Sequence, residues 1–137
     1  FANGTTMFGV PPMWNGIVDV RDVADAHVAA ALNPQANGRY IICGGSLSLL
    51  EMGKALTKRF GYKYPFPHFT VPKSAFGVIA PVLGYSRQFV RLNMGYPIHF
   101  NAERSEKELG IQYRDIRESV CEHFQQLLDD GIVKKYI

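Results

Sequence analysis

Three aspartates, Asp19, Asp22 and Asp25, are spaced for paired-carboxylate chemistry. Two carboxyl groups held close together can divide the roles of general acid and general base. Asp22, however, precedes an alanine-rich helical pattern that it is placed to cap, and Asp25 is expected to face solvent. The pattern therefore favours a structural role for these side chains over acid–base catalysis.

A glycine pair, Gly44-Gly45, lies between a predicted strand and a predicted helix, where backbone amides can bind phosphate. The spacing matches neither GxGxxG nor the P-loop pattern GxxxxGK followed by Ser or Thr. We therefore predict a structural turn here and assign no cofactor-binding residue in this chain.

The four histidines, His27, His68, His99 and His123, share no metal-ligand spacing such as HExxH. We predict no metal site. His27 follows Val23 by one turn of a predicted helix, and we predict that it is a packed core residue.

A tyrosine followed four residues later by a lysine would provide an acid–base group, because a nearby ammonium lowers the pKa of the phenol. No such pair occurs: Tyr62 and Tyr64 are followed at that spacing by Phe66 and His68, and the other tyrosines also lack the lysine. We therefore assign no catalytic residue.

The stretch best suited to ligand contact runs from Tyr62 to Tyr96. It is rich in aromatic residues and carries Met94, with Arg87 and Arg91 one turn apart on a predicted helix. Apolar walls with a few polar anchors are typical of small-molecule pockets. A flap that packs on another domain, or an oligomer interface, would have the same composition, so these alternatives stay open.

The elements that position these groups follow from the hydrophobic pattern. We predict a strand over 17–20, a helix over Val23–Leu32, and a strand over Arg39–Cys43. The second strand is continuously apolar, as in a parallel sheet covered on both faces. A capping box at Ser48 and Glu51 opens a helix that stops at Gly61. Further helices are predicted over 72–83, where Pro81 is expected to kink or end the helix, and over 86–94, 101–109 and 115–131. A second capping box, at Asp115 and Glu118, is predicted to open the last of them, and an edge strand is predicted over 97–100.

The bulk composition is that of a globular protein, with 47% hydrophobic and 20% charged residues and a formal charge of +3. Without a stripe of basic residues interleaved with aromatics, we predict no nucleic-acid partner. The longest apolar run, Ala75–Leu83, is far shorter than the roughly 20 residues that span a bilayer, so we predict no membrane partner. Two cysteines, Cys43 and Cys121, make no disulfide framework, which suits a cytoplasmic location.

Two stretches resemble the C-terminal signature of extended short-chain dehydrogenases/reductases in the NAD-dependent epimerase/dehydratase superfamily. They are VDVRDVADAH at 18–27 and NPxAxGRYI at 33–41. The nearest subgroup is the dihydroflavonol 4-reductase and cinnamoyl-CoA reductase type, whose closing segment is similar to residues 105–114. The match spans most of Gly16 to Leu128. The chain opens at Phe1 within an irregular first sixteen residues, and we expect it to be part of a longer protein.

The resemblance implies an α/β fold: the C-terminal part of an NAD(P)-binding Rossmann-type reductase, with few strands and several helices. Within 1–137 it divides the chain into the last βα units (17–61), a substrate flap (62–100) and closing helices (101–131). The strand over Arg39–Cys43 would join the parallel sheet of the complete enzyme.

The implied reaction is hydride transfer between NADPH or NADH and a carbonyl carbon. In this family the glycine-rich loop and the catalytic Ser, Tyr and Lys lie in the N-terminal region, and they have no counterpart here. We therefore predict that the chain binds no cofactor tightly and is inactive alone. Its expected partners are the missing N-terminal Rossmann portion, a small carbonyl substrate and, in one alternative, a second copy.

The implied substrate contacts lie in two groups, one before the predicted first strand and one in the flap. They are Met13, Trp14, Asn15, Phe69, Tyr85, Arg87 and Arg91.

Two alternatives stay open. One is a non-catalytic domain that dimerises through its apolar segment Pro72–Leu83. The other is part of a nucleotide-sugar epimerase or dehydratase. That enzyme would need more basic anchors for a diphosphate than Arg87 and Arg91 supply.

Overall fold

The computed structural model describes residues 6–134, which form two short strands and six α-helices. The predicted loop before Thr6 lies outside these residues. The elements are β1 (Trp14–Ile17), α1 (Val20–Leu32), β2 (Gly45–Ser48), α2 (Leu49–Phe60), α3 (Lys73–Ile79), α4 (Arg87–Asn93), α5 (Glu103–Leu109) and α6 (Ile116–Asp129), with a 3-10 turn at Gly61–Lys63 after α2.

The two strands pair antiparallel, with Trp14 opposite Ser48 and Ile17 opposite Gly45. The predicted strand over 17–20 is wrong by three residues, because α1 already begins at Val20. The predicted strand over Arg39–Cys43 is also absent, since no described residue forms a ladder with it. An apolar strand of that kind needs a neighbouring strand to satisfy its backbone groups.

The N-terminus of α1 is capped by Asp19, whose carboxylate accepts a hydrogen bond of 2.9 Å from the amide of Arg21. The prediction that Asp22 caps this helix is wrong. Asp22 lies inside the first turn and is only 1% exposed. Its carboxylate accepts from the amide of Arg114 at 2.9 Å and pairs with the guanidinium of the same residue.

Asp19 ties the start of α1 to the final helix. Its carboxylate accepts hydrogen bonds from the Arg21 guanidinium at 2.8 Å and from the Ser119 hydroxyl at 2.6 Å. Arg21 also reaches Glu122 at 2.6 Å. The bonds from Arg21, followed by that from Ser119, hold the pKa of the Asp19 carboxyl well below its ordinary value.

The capping box at the start of α2 is confirmed. The Ser48 hydroxyl accepts from the Glu51 amide at 3.2 Å, and the Glu51 carboxylate accepts from the Ser48 amide at 2.8 Å. The helix ends at Gly61, which has a φ of 72° that favours glycine. Both ends of α2 are therefore where the sequence placed them.

The main core lies between α2 and α6 and the aromatic segment that follows α2. Its rings meet edge to face around Phe124, with centroids 4.9 Å from Phe60, 5.1 Å from Tyr64 and 5.1 Å from Phe66. The buried members are Leu56, Tyr64, Phe66, Cys121, Phe124 and Leu128.

The helix that follows Pro72 stops at Ile79, as expected from Pro81, which lacks the amide that a continuing helix would need. The second half of the chain departs from the prediction in two other places. No strand forms over 97–100. Asp115 caps α6 by accepting a hydrogen bond of 2.8 Å from the Arg117 amide. Glu118 forms an ion pair with Arg59 of α2 and does not complete the predicted capping box.

The position of His27 also differs from the prediction. Its side chain is exposed on α1, and its Nδ1 lies 2.7 Å from the carbonyl oxygen of Val23. The predicted core position is wrong because the His27 face of α1 meets no other described element.

Replacing Gly53 with alanine should destabilise the protein. A Cβ there would lie 2.5 Å from Pro67 Cγ and 2.9 Å from the Pro67 carbonyl oxygen. Overpacking costs about 1–3 kcal/mol, against the roughly 1 kcal/mol that alanine gains over glycine in an open helix. Gly77→Ala in α3 is the matched control, since its Cβ would have no neighbour within 4 Å, and it should stabilise. Urea unfolding measures both variants, and a stabilising Gly53→Ala would contradict the packing.

Asp19 should contribute to stability that is lost in acid. Because its folded-state pKa is lowered, the stabilisation is complete above the unfolded pKa of about 4 and disappears as the pH falls below that value. Asp19→Asn should therefore lower the free energy of unfolding at neutral pH and flatten its decline below about pH 4. Glu106→Gln, an exposed carboxyl change on α5, is the control. Equal acid dependence in Asp19→Asn and the parent chain would refute this assignment.

Candidate functional site

Backbone hydrogen bonds join Val10, which precedes β1, to residues 69–71 near the start of the flap (62–100). The Val10 amide donates to the Phe69 carbonyl at 3.1 Å, and the Val71 amide donates to the Val10 carbonyl at 2.8 Å, which forms a parallel bridge between Val10 and Thr70. Farther along, the Gly95 amide donates to the Pro12 carbonyl at 2.6 Å. Both ends of the flap are therefore fastened to the same three-residue stretch, Val10–Pro12.

The first predicted group, Met13, Trp14 and Asn15, follows that stretch directly. All three residues are half-buried, and Trp14 and Asn15 open β1. The Met13 carbonyl accepts from the Leu49 amide at 3.1 Å, which fixes it beside the first turn of α2. We refer to residues 10–15 as the rim.

The second predicted group lies on the flap and on the hairpin formed by α3 and α4. Phe69 is bridged to the rim through its carbonyl, and its side chain is exposed. Tyr85 stacks on Phe89 with centroids 5.6 Å apart. Arg87 and Arg91 are exposed on successive turns of α4.

The structure joins the rim to the flap but does not gather all seven predicted residues around one cavity. A cavity of about 770 Å³ lies between the start of α1, α2 and α6. Another of about 480 Å³ lies between residues 39–41 and α5. None of the seven residues lines either cavity, so their role in substrate binding stays a prediction.

Lys73 holds the base of the α3–α4 hairpin, a role that the sequence did not suggest. Its Nζ donates to the Arg91 carbonyl at 3.0 Å and lies 4.3 Å from the centroid of the Tyr96 ring. Arg91 and Tyr96 follow Lys73 by 18 and 23 positions, so no local spacing could have identified this contact.

The turn at Gly44-Gly45 does not fit a dinucleotide phosphate. A Cβ on either glycine would come within 2.9 Å of the Ile116 side chain, so packing against α6 explains the absence of side chains there. In the first turn of α2 the Leu49 amide donates to the Met13 carbonyl and the Glu51 amide donates to the Ser48 hydroxyl. The described residues therefore offer no phosphate cradle at this helix.

A serine and a tyrosine hydroxyl do meet elsewhere. Ser105 Oγ lies 2.7 Å from the hydroxyl of Tyr113 and 2.6 Å from the Ala102 carbonyl oxygen. Ser105 is completely buried, so no substrate reaches it. The pair fastens α5 to the segment before α6 and is structural.

No group of three His, Cys, Asp or Glu residues in the described range is arranged to hold a metal ion. Within the same range, no helix has the length and apolar character needed to cross a bilayer.

Comparison with known sequences identifies plant reductases. Anthocyanidin reductase ((2S)-flavan-3-ol-forming) of Vitis vinifera is 44% identical over 50 residues, which are 36% of this chain and 15% of that protein. Cinnamoyl-CoA reductase 2 of Arabidopsis thaliana is 29% identical over 114 residues, covering 83% of this chain and 29% of that protein. No protein-family model matches. The chain spans less than a third of the length of these relatives.

Two solved structures share the fold. The crystal structure of gox2253 superimposes on 89% of this chain and 39% of its own with a TM-score of 0.68. Yeast methylglyoxal/isovaleraldehyde reductase Gre2, complexed with NADPH, covers 93% of this chain and 39% of its own with a TM-score of 0.61. Both are 21% identical in sequence.

These comparisons confirm the predicted fold class, because the helices and the two-stranded sheet match part of a reductase fold. The sequence relatives confirm the predicted resemblance as well. The chain is similar to part of these plant reductases and shares its fold with part of both solved structures.

Proposed function

We propose that this chain forms the substrate side of an NAD(P)H-dependent oxidoreductase that reduces a carbonyl group. The observation that carries the proposal is the backbone bridge between Val10 and Thr70, which fastens the flap to the rim that holds Trp14. The reductase relatives support the reaction class.

In this reaction the reduced nicotinamide supplies a hydride to the carbonyl carbon, and a proton goes to the oxygen. The start of α2 offers no phosphate cradle among the described residues, and no tyrosine of the sequence is followed four residues later by a lysine. The contribution of this chain is to orient the substrate and to exclude water with apolar surface. Trp14 and Phe69 suit an apolar or aromatic substrate, and Arg87 and Arg91 can donate to its polar groups.

One face of α1 is apolar and exposed, which supports the proposal that a further part of the protein packs beside this helix. Val20, Val28 and Leu32 recur at multiples of four residues along α1 and are 79%, 58% and 76% exposed. Residues 39–43 follow α1 along the chain and have no strand partner among the described residues, and Ile41 is 49% exposed. Burying such side chains contributes about 1.5–3 kcal/mol each. We propose that the nucleotide-binding part of the reductase covers this face and pairs with residues 39–43.

The single tryptophan gives a direct test of the substrate side. 3-Phenylpropanal, an aromatic carbonyl compound, should quench Trp14 fluorescence with weak affinity, of the order of millimolar, because the rest of the cleft lies on another part of the protein. Arg87→Ala should weaken this binding about tenfold, since a hydrogen bond from a charged group contributes 1.5–3 kcal/mol. Lys58→Ala, an exposed change on α2, is the matched control.

The chain alone should not oxidise NADPH in the presence of the aldehyde. Quenching by UDP-glucose but not by the aldehyde would favour the epimerase or dehydratase alternative. Absence of quenching by both ligands would remove the support for a substrate side at the rim.

The uncovered α1 face also favours the second candidate, a non-catalytic dimerising domain. If two copies bury this face against each other, sedimentation equilibrium should show a discrete dimer that Val28→Asp dissociates. The reductase proposal instead predicts a monomer at low micromolar concentration, with Val28→Asp sedimenting as the parent chain does. His27→Asp, on the same helix, controls for the added charge.

A further inference from the structure

The turn between α3 and α4 presents a cluster of exposed aliphatic side chains. Val78, Ile79, Val82 and Leu83 are 74%, 47%, 89% and 57% exposed. They lie within six consecutive residues that contain no polar side chain. We call these four residues the tip. Contiguous apolar surface of this kind marks an interaction site in most proteins that display it.

The tip is not needed to hold the hairpin together. The two helices have a core of their own, made of Phe76, Ala80, Val90 and Met94, with none more than 5% exposed. Lys73 closes the base of the hairpin through Arg91 and Tyr96. The exposed side chains of the tip are therefore left for contact with something outside the described residues.

The charged residues on either side of the tip along the chain all have the same sign. No Asp or Glu occurs between Glu51 and Glu103, a stretch that carries seven Lys or Arg residues. The remainder of the chain has eight basic and twelve acidic residues. On the hairpin itself the cations are Lys73, Arg87 and Arg91, and no carboxylate accompanies them.

Two tyrosines complete the surface. Tyr85 and Tyr96, at the end of the tip and at the base of the hairpin, are 41% and 57% exposed. Tyrosine is enriched where a protein crosses the boundary between lipid and water, because its ring is apolar and its hydroxyl is polar. Aliphatic, cationic and tyrosine side chains therefore share one short hairpin.

We propose that the α3–α4 hairpin docks on an anionic lipid surface, with the tip in the headgroup region and Arg87 and Arg91 on the lipid phosphates. Peripheral docking needs no spanning helix, and the prediction of no membrane partner considered only the length of the apolar run. A second copy is the less favoured occupant. A two-fold contact through the tip would bring the same unbalanced cations of both copies together.

The energetics are those of a weak, salt-sensitive contact. Each basic residue near an anionic membrane strengthens binding by about fivefold, and the effect falls off within a Debye length. Aliphatic side chains that enter the headgroup region add a term that salt does not screen. The proposal requires both the electrostatic and the apolar contribution. Substitutions can remove either contribution without the other.

The test is co-sedimentation of the 137-residue chain with vesicles. Vesicles of phosphatidylcholine with about a third phosphatidylserine should bind the chain, and vesicles of phosphatidylcholine alone should bind it at least tenfold less. Val82→Asp should weaken binding at least tenfold, whereas Leu32→Asp, an exposed change on α1, should not. The double variant Arg87→Glu/Arg91→Glu should lose binding, while Lys58→Glu/Lys63→Glu, with the same change in net charge, should lose less. Circular dichroism verifies that each variant is folded.

Three results would overturn the proposal. The first is equal binding to neutral and anionic vesicles, and the second is equal loss in the two double variants. The third is a lipid-free dimer, seen by sedimentation velocity, that Val82→Asp dissociates, because it assigns the tip to a second copy. The proposal does not depend on the reductase assignment, since none of these readouts uses a carbonyl substrate.

Discussion

Two buried carboxylates on the first turn of α1 hold the ends of this fold together. Asp19 accepts a hydrogen bond from Ser119, which is 100 positions away, and Asp22 accepts one from Arg114, which is 92 positions away. A buried carboxylate is costly unless its oxygens are paired, and here both are. The connection brings α6 beside the start of α1 and beside α2. The aromatic core around Phe124 can then form.

The candidate site depends on that arrangement indirectly. The rim continues into β1, β1 pairs with β2, and β2 leads straight into α2, which packs on α6. The flap is fastened to the rim at both ends by backbone hydrogen bonds, whose geometry does not depend on which side chains follow. Side chains on the flap can therefore change while the backbone frame stays the same.

The molecule presents two apolar surfaces with different surroundings. The exposed apolar face of α1 is followed along the chain by residues 39–43, which have an apolar pattern and no strand partner among the described residues. The tip of the α3–α4 hairpin lies among cations and tyrosines and has its own small core behind it. Neighbouring charge and backbone pairing, rather than apolar area alone, distinguish a face that suits protein from a face that suits lipid.

The sequence by itself determined the features that depend on nearby residues. The Ser48–Glu51 capping box, the end of α2 at Gly61 and the helix that begins after Ser86 all follow from contacts within one turn. It also determined the family resemblance, through residues 18–27 and 33–41. Only the tertiary structure decided which aspartate caps α1, that His27 is exposed, and that Lys73 closes the hairpin. The roles of Asp22 and Lys73 depend on partners far along the chain, and the exposure of His27 depends on which face of α1 the fold covers. The backbone of Arg39–Cys43 shows the same limit: its apolar pattern is that of a strand, but a strand forms only against another strand.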